Sequence, residues 1–143
     1  MENETAVEIF SKGYNCSQAV FASHSAELGL DAVSAKKVAA AFGGGIAHNG
    51  KTCGAVTGAL MLLGLRYGKY KDGDNESKER TYKIANEFMG KFKDEFGSIK
   101  CKDLIKFDVS KPEEYLRAKE AGVFQNICPS LVKRSSELVE DFF

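Results

Sequence analysis

The sequence predicts one all-α domain, a single multi-helix bundle over residues 1–143. Apolar residues recur every three or four positions in segments that end at glycine. Alternating, strand-like segments are almost absent, and no internal repeat is present. A chain of 143 residues with 43% hydrophobic residues can enclose one core but not two.

The elements follow in order. Ala6, Ile9 and Phe10 give a first helix over 5–12, stopped at Gly13. Val20, Phe21, His24 and Leu28 share a face of a second, over 17–28, stopped at Gly29. A third begins near Ser34, places Val38 and Phe42 on one face, and fails at Gly43-Gly44-Gly45. The fourth runs from Cys53 or Gly54 through Leu65. From Asn75 a long amphipathic helix carries Tyr82, Ala85, Phe88, Met89, Phe92 and Phe96 at helical spacing. Shorter pieces follow over 102–105, over 112–121 with proline in its first turn, and over 129–142.

Gly45-Ile-Ala-His-Asn-Gly50-Lys51-Thr52 satisfies the phosphate-loop pattern G-x-x-x-x-G-K-[ST] letter for letter. That pattern holds phosphate only where a buried strand feeds the loop. Residues 34–42 are alanine-rich and helical in pattern. The nearest candidate for a magnesium carboxylate, Asp108, follows a segment interrupted by Lys106. No nucleotide is expected.

Twenty basic and twenty acidic residues cancel, and no basic block provides the field that attracts nucleic acid or an anionic membrane. The N-terminus is acidic where a secretory leader would be basic. The longest apolar run, residues 59–65, ends at Arg66 and is too short to span a bilayer. The expectation is a cytoplasmic protein without nucleic-acid or membrane partners. The charged residues of the long helix, Glu76 to Glu87, read as a solvated face, and association into a homo-oligomer remains open.

Four cysteines stand out: Cys16, Cys53, Cys101 and Cys128. In a reducing compartment they point to metal binding, redox chemistry or burial rather than structural disulfides. Their spacing contains no C-x-x-C pair, yet each falls at a predicted helix N-terminus. There, unpaired N–H groups and the helix dipole favour the thiolate, the form that attacks disulfides and ligates metals. Gly54 and Gly58, with Ala55 and Ala59, form small-residue stripes that admit either a neighbouring backbone or a flat cofactor. His48 stands close enough to Cys53 to supply a nitrogen ligand or to lower its pKa, and otherwise reads as solvated. Lys51 is a charge near Cys53 or an exposed loop residue, and His24 a packed or boundary residue.

Together these residues resemble a family named for its cysteine pattern, C_GCAxxG_C_C. The matching stretches are Gly13-Tyr-Asn-Cys16-Ser-Gln-Ala-Val20, Phe42-Gly-Gly-Gly45, Thr52-Cys53-Gly-Ala-Val-Thr-Gly-Ala-Leu60 with Gly64-Leu-Arg-Tyr-Gly68, Phe96-Gly-Ser-Ile-Lys-Cys101 and Cys128-Pro129. In this chain the core reads C-G-A-x-x-G, with Thr52 before Cys53 and Gly54 after it. The resemblance implies a small helical redox protein with Cys16, Cys53, Cys101 and Cys128 as its functional set. It also implies kinship with a domain found beside haem and iron–sulfur chemistry in some anaerobe proteins.

Three functions compete. In the first, favoured, all four sulfurs bind an iron–sulfur cluster or another thiophilic metal, with an unidentified electron-transfer partner. In the second, cysteine pairs cycle between dithiol and disulfide with a thiol redox partner, either Cys16 with Cys53 or Cys101 with Cys128. In the third, Gly54, Gly58 and the loop before them form a pocket for a small ligand without redox chemistry.

Overall fold

Side chains that replace missing intrahelical partners start several of the helices. Thr5, Asn15, Asp31 and Asp74 each accept from the backbone N–H three residues on, opening α1 (Ala6–Ser11), α2 (Cys16–Ser25), α3 (Ala32–Val38) and α5 (Asn75–Phe96). Between and after them lie α4 (Gly54–Tyr67), α6 (Cys101–Ile105), α7 (Pro112–Glu120), α8 (Val123–Asn126) and α9 (Cys128–Glu140). The structure, a computed structural model, describes residues 4–143. Met1, Glu2 and Asn3, part of the acidic N-terminal stretch, lie outside the described residues. Among the described residues the all-α reading holds, and the β structure is one isolated antiparallel bridge, Thr52 to Lys100.

α2 is the hub. It packs on α1, α3, α4 and α9 and buries residues all around its circumference, from Ser17 and Val20 to His24 and Ser25. The single face expected of it is therefore a closed surface. α4 lies across it, and their contact is close because Gly54 and Gly58 carry no side chain toward α2. On its other sides α4 sends Leu62, Leu63 and Val56 into the core. Phe88 and Phe92 of α5 fill the space beside it, each fully buried, and each such side chain contributes on the order of 2–3 kcal/mol. α9 closes the bundle, where Ser135 Oγ donates to the Ala55 carbonyl at 2.6 Å.

Several local expectations are corrected. α3 ends at Val38, which is exposed, and Phe42 lies outside it; Ala35 is the residue that α3 buries. Tyr82 is 57% exposed, because the seam of α5 runs through Thr81, whose hydroxyl donates to the Tyr67 carbonyl at 3.0 Å. A turn of 3-10 helix (Ala26–Leu28) extends α2 to Gly29, and the short α8 adds a turn of helix between α7 and α9. Among the described residues no helix is long and apolar enough to cross a membrane.

Asn15 joins this local chemistry to the packing. Its side chain accepts from Gln18 N at 2.8 Å, Gln18 Oε1 accepts from Asn15 N at 2.9 Å, and Asn15 Nδ2 donates to the Ala40 carbonyl at 3.1 Å. Asn15→Ala is expected to lower stability by about 1–2 kcal/mol, while Asn15→Ser, which keeps the cap, loses less. Urea midpoints check this; equal midpoints for all three proteins would mean that the cap does not hold α2.

Candidate functional site

The four cysteines reach one place by four routes. Cys16 is the first residue of α2, Cys53 the N-cap of α4, Cys101 the first residue of α6 and Cys128 the first residue of α9. The isolated bridge brings the middle two together: Cys53 N donates to the Ile99 carbonyl and Cys101 N to the Lys51 carbonyl, both at 2.7 Å. With Thr52 opposite Lys100, Cys53 and Cys101 fall on the same face of the bridge. The packing of α2 against α9 brings in Cys16 and Cys128. All four line a single cavity of about 220 Å³, together with Phe10, Gly45, His48, Gly54, Tyr115 and Phe124.

The loop between α3 and α4 forms one wall. Gly44, Gly45, Ile46, Ala47 and His48 all have positive φ, between 51° and 70°. For the three non-glycine residues this costs about 1–2 kcal/mol each, strain that the surrounding packing must hold in place. Gly45 has no substitute: a Cβ there would stand 2.7 Å from Cys101 Cβ and 2.5 Å from Lys51 N. The loop sets the exposed His48 at the cavity mouth, its ring edge-on to Tyr115 at 5.1 Å. The loop's N–H groups turn inward: those of Ala47, His48, Gly50 and Lys51 donate to Ala41, Gly43, Gly44 and Gly45 carbonyls.

The glycines divide by position. Gly54 borders the cavity and also meets α2, where a Cβ would come 2.8 Å from Ser17 N. Gly58 lies one turn deeper and faces the Ser17 carbonyl.

Electrostatics at the four helix ends correct one expectation. Burial outweighs the helix dipole at Cys53, whose thiol is pushed up to about 11 although the Ala55 and Val56 N–H groups act in the other direction. Burial, then the neighbouring cysteines and Asp108, push Cys101 to about 12. Cys16 is raised well above the ordinary thiol value, first by its hydrogen bond to Cys128 and then by burial. Cys128 alone is lowered, because Cys16 donates to it. Burial therefore works against thiolates in this cavity, and four together would need a compensating cation.

A family model, "Putative redox-active protein (C_GCAxxG_C_C)", matches residues 14–142. The chain belongs to the C_GCAxxG_C_C family. No curated protein and no solved structure matches it significantly. All four cysteines of this C_GCAxxG_C_C chain lie within the matched stretch, as do Gly54, Gly58 and the strained loop.

A larger cleft of about 590 Å³, bordered by α1, α2 and α9, contains no cysteine. There His24 stands between Glu27, 2.5 Å from Nδ1, and the Ser136 hydroxyl, 3.0 Å from Nε2. The order imitates a nucleophilic triad. Nε2 also faces the Ser136 carbonyl at 3.1 Å and Glu140 at 3.2 Å, both acceptors, so this nitrogen acts as a donor and is not free to take the hydroxyl proton. His24 ties α2 to α9 and does not activate Ser136.

Proposed function

We propose that Cys16, Cys53, Cys101 and Cys128 together hold an iron–sulfur cluster, and that this C_GCAxxG_C_C protein transfers electrons to a partner. The observation that carries this reading is the convergence of all four sulfurs on one cavity of about 220 Å³. Thiolate sulfur is the donor that iron–sulfur clusters and other thiophilic metals take, and four is the usual complement. Among the described residues no three His, Cys, Asp or Glu side chains are grouped about a single ion position. Donors spread around a cavity suit a group of several atoms better than one ion.

A bound cluster would supply one-electron chemistry. The chain supplies the setting: Cys53 at the N-terminus of α4, and apolar walls from Phe10, Leu104 and Phe124. Hydrogen bonds to cluster sulfurs and exclusion of water are the means by which a protein sets such a potential. Gly54 and Gly45 let backbone pass close to the sulfurs where side chains would fill the space. A reducing compartment such as the cytoplasm would keep the ligands as free thiols for loading.

The test is iron and sulfide analysis with an absorption spectrum on protein purified without oxygen, with free thiols counted in parallel. Stoichiometric iron and sulfide with all four cysteines masked is the expected result, falling severalfold in each single Cys→Ser variant. Protein that stays metal-free with four reactive thiols after incubation with ferrous iron and sulfide would overturn the reading.

A further inference from the structure

Two hollows meet at His48. It borders the cavity of about 220 Å³ that the four cysteines line, and it also borders a groove of about 310 Å³ lined mainly by alanine and glycine, with Ala40, Ala41 and Ala47 exposed. Asn15, Gly44 and His48 form the wall that the two share. Around the cysteine cavity every residue is buried or half-buried except His48, which is exposed. Its ring is braced edge-on against Tyr115 at 5.1 Å, and Gly44 leaves it room, since a Cβ there would stand 2.7 Å from His48 Nδ1. Cys53 and Cys101, on the same cavity, are only 4% and 8% exposed.

We propose that His48 is the gate of the cysteine cavity: its ring separates the cavity from the outer groove, and rotation of the ring joins them into a passage for low-molecular-weight solutes. The residue decides how fast, and up to what size, solutes reach the sulfurs. The proposal concerns access and not what the sulfurs hold, so it does not rest on the cluster reading.

The residue type follows from the place. Position 48 has a φ of 63°, in the left-handed region that bulky side chains avoid and that histidine, asparagine and aspartate enter more readily. Of these three, histidine alone brings a ring wide enough to span a gap. That ring is braced by an aromatic contact at the surface and not by the core, so it turns about its side-chain torsions without unpacking a helix. The gate uses the outline of the ring and not its nitrogens. A phenyl ring at this position closes the passage as well, whereas a short amide that keeps the left-handed backbone leaves it open.

The experiment uses the full chain, stripped of metal, reduced and kept from oxygen, and follows the rate at which N-ethylmaleimide labels Cys53 and Cys101, each read by peptide mass. His48→Asn is expected to raise both rates about tenfold, and His48→Phe to stay within about twofold of wild type. Wild-type labelling should also be flat between zero and about 1 M urea, because a turning side chain exposes little surface, whereas entry by unfolding climbs with denaturant. Should His48→Asn fail to fold, Tyr115→Leu, which frees the ring from its brace, is expected to raise the rates in its place. Equal rates in wild type and the opened variant, an equal rise in His48→Asn and His48→Phe, or wild-type labelling that climbs with urea overturns the proposal. Iron loading without any effect of His48 sinks only the gate; an effect of His48 in protein that never takes up iron sinks only the cluster.

Discussion

Gly58→Ala strongly destabilises the protein, whereas Gly64→Ala, six residues further along the same helix, leaves it intact or slightly more stable. A Cβ at position 58 would lie 2.6 Å from the Ser17 carbonyl oxygen, 3.1 Å from Val20 Cβ and 3.2 Å from Phe21 N. Two of those three atoms are backbone of a helix buried on every side, so no rotamer change relieves the overlap. α2 and α4 must separate, at a cost of about 3 kcal/mol or more. Nothing lies within 4 Å of a Cβ at Gly64, where alanine gains about 0.5–1 kcal/mol from helix propensity. Thermal midpoints of the two variants decide it. A stable Gly58→Ala protein would mean that the α2–α4 contact is looser than described. The substitution also reaches the site, since Ser17 follows Cys16 directly and a displaced α2 moves that cysteine relative to the cavity it lines.

The reduced, metal-free protein loses stability as pH rises above 9. The Cys53 thiol, ordinarily near 9.0, is held up to about 11 by burial. Between those values the unfolded chain has released the proton and the folded chain has kept it. Since stability changes with pH as the difference in protons bound, unfolded minus native, it falls across this window. Holding one thiol protonated over that interval corresponds to about 3 kcal/mol, present below pH 9 and lost by about pH 11. Cys101, pushed to about 12, extends the decline in the same direction. Lysines and tyrosines titrate in the same range, so the informative quantity is the difference between wild type and Cys53→Ala. Urea midpoints from pH 8 to 11 should converge as pH rises; parallel curves would show that burial does not hold the Cys53 proton.

The helices were legible because their signals are local. Asn15 with Gln18 writes a capping box, Gly29 and Gly97 end helices in the left-handed conformation, and Phe88 and Phe92 mark the buried side of α5. The cysteines' positions at helix starts were legible for the same reason. Their ionisation was not, because the dipole is a property of one helix whereas burial depends on everything packed around the sulfur. Residues 44–48 were legible only as a glycine-bearing loop. Positive φ at Ile46 runs against that residue's own preference, so no propensity could forecast it. The meeting of Cys16 and Cys128 in one cavity was hidden because it depends on how α9 docks on α2.

The distribution of the sulfurs also fixes an order of events during synthesis. Cys16, Cys53 and Cys101 emerge on α2, α4 and α6, but Cys128 arrives with α9, the element that closes the bundle. Until α9 docks, the chain offers at most three of its four sulfurs, and the core under them is open. A nascent chain therefore cannot complete its four-cysteine cavity until the last helix has been made and docked.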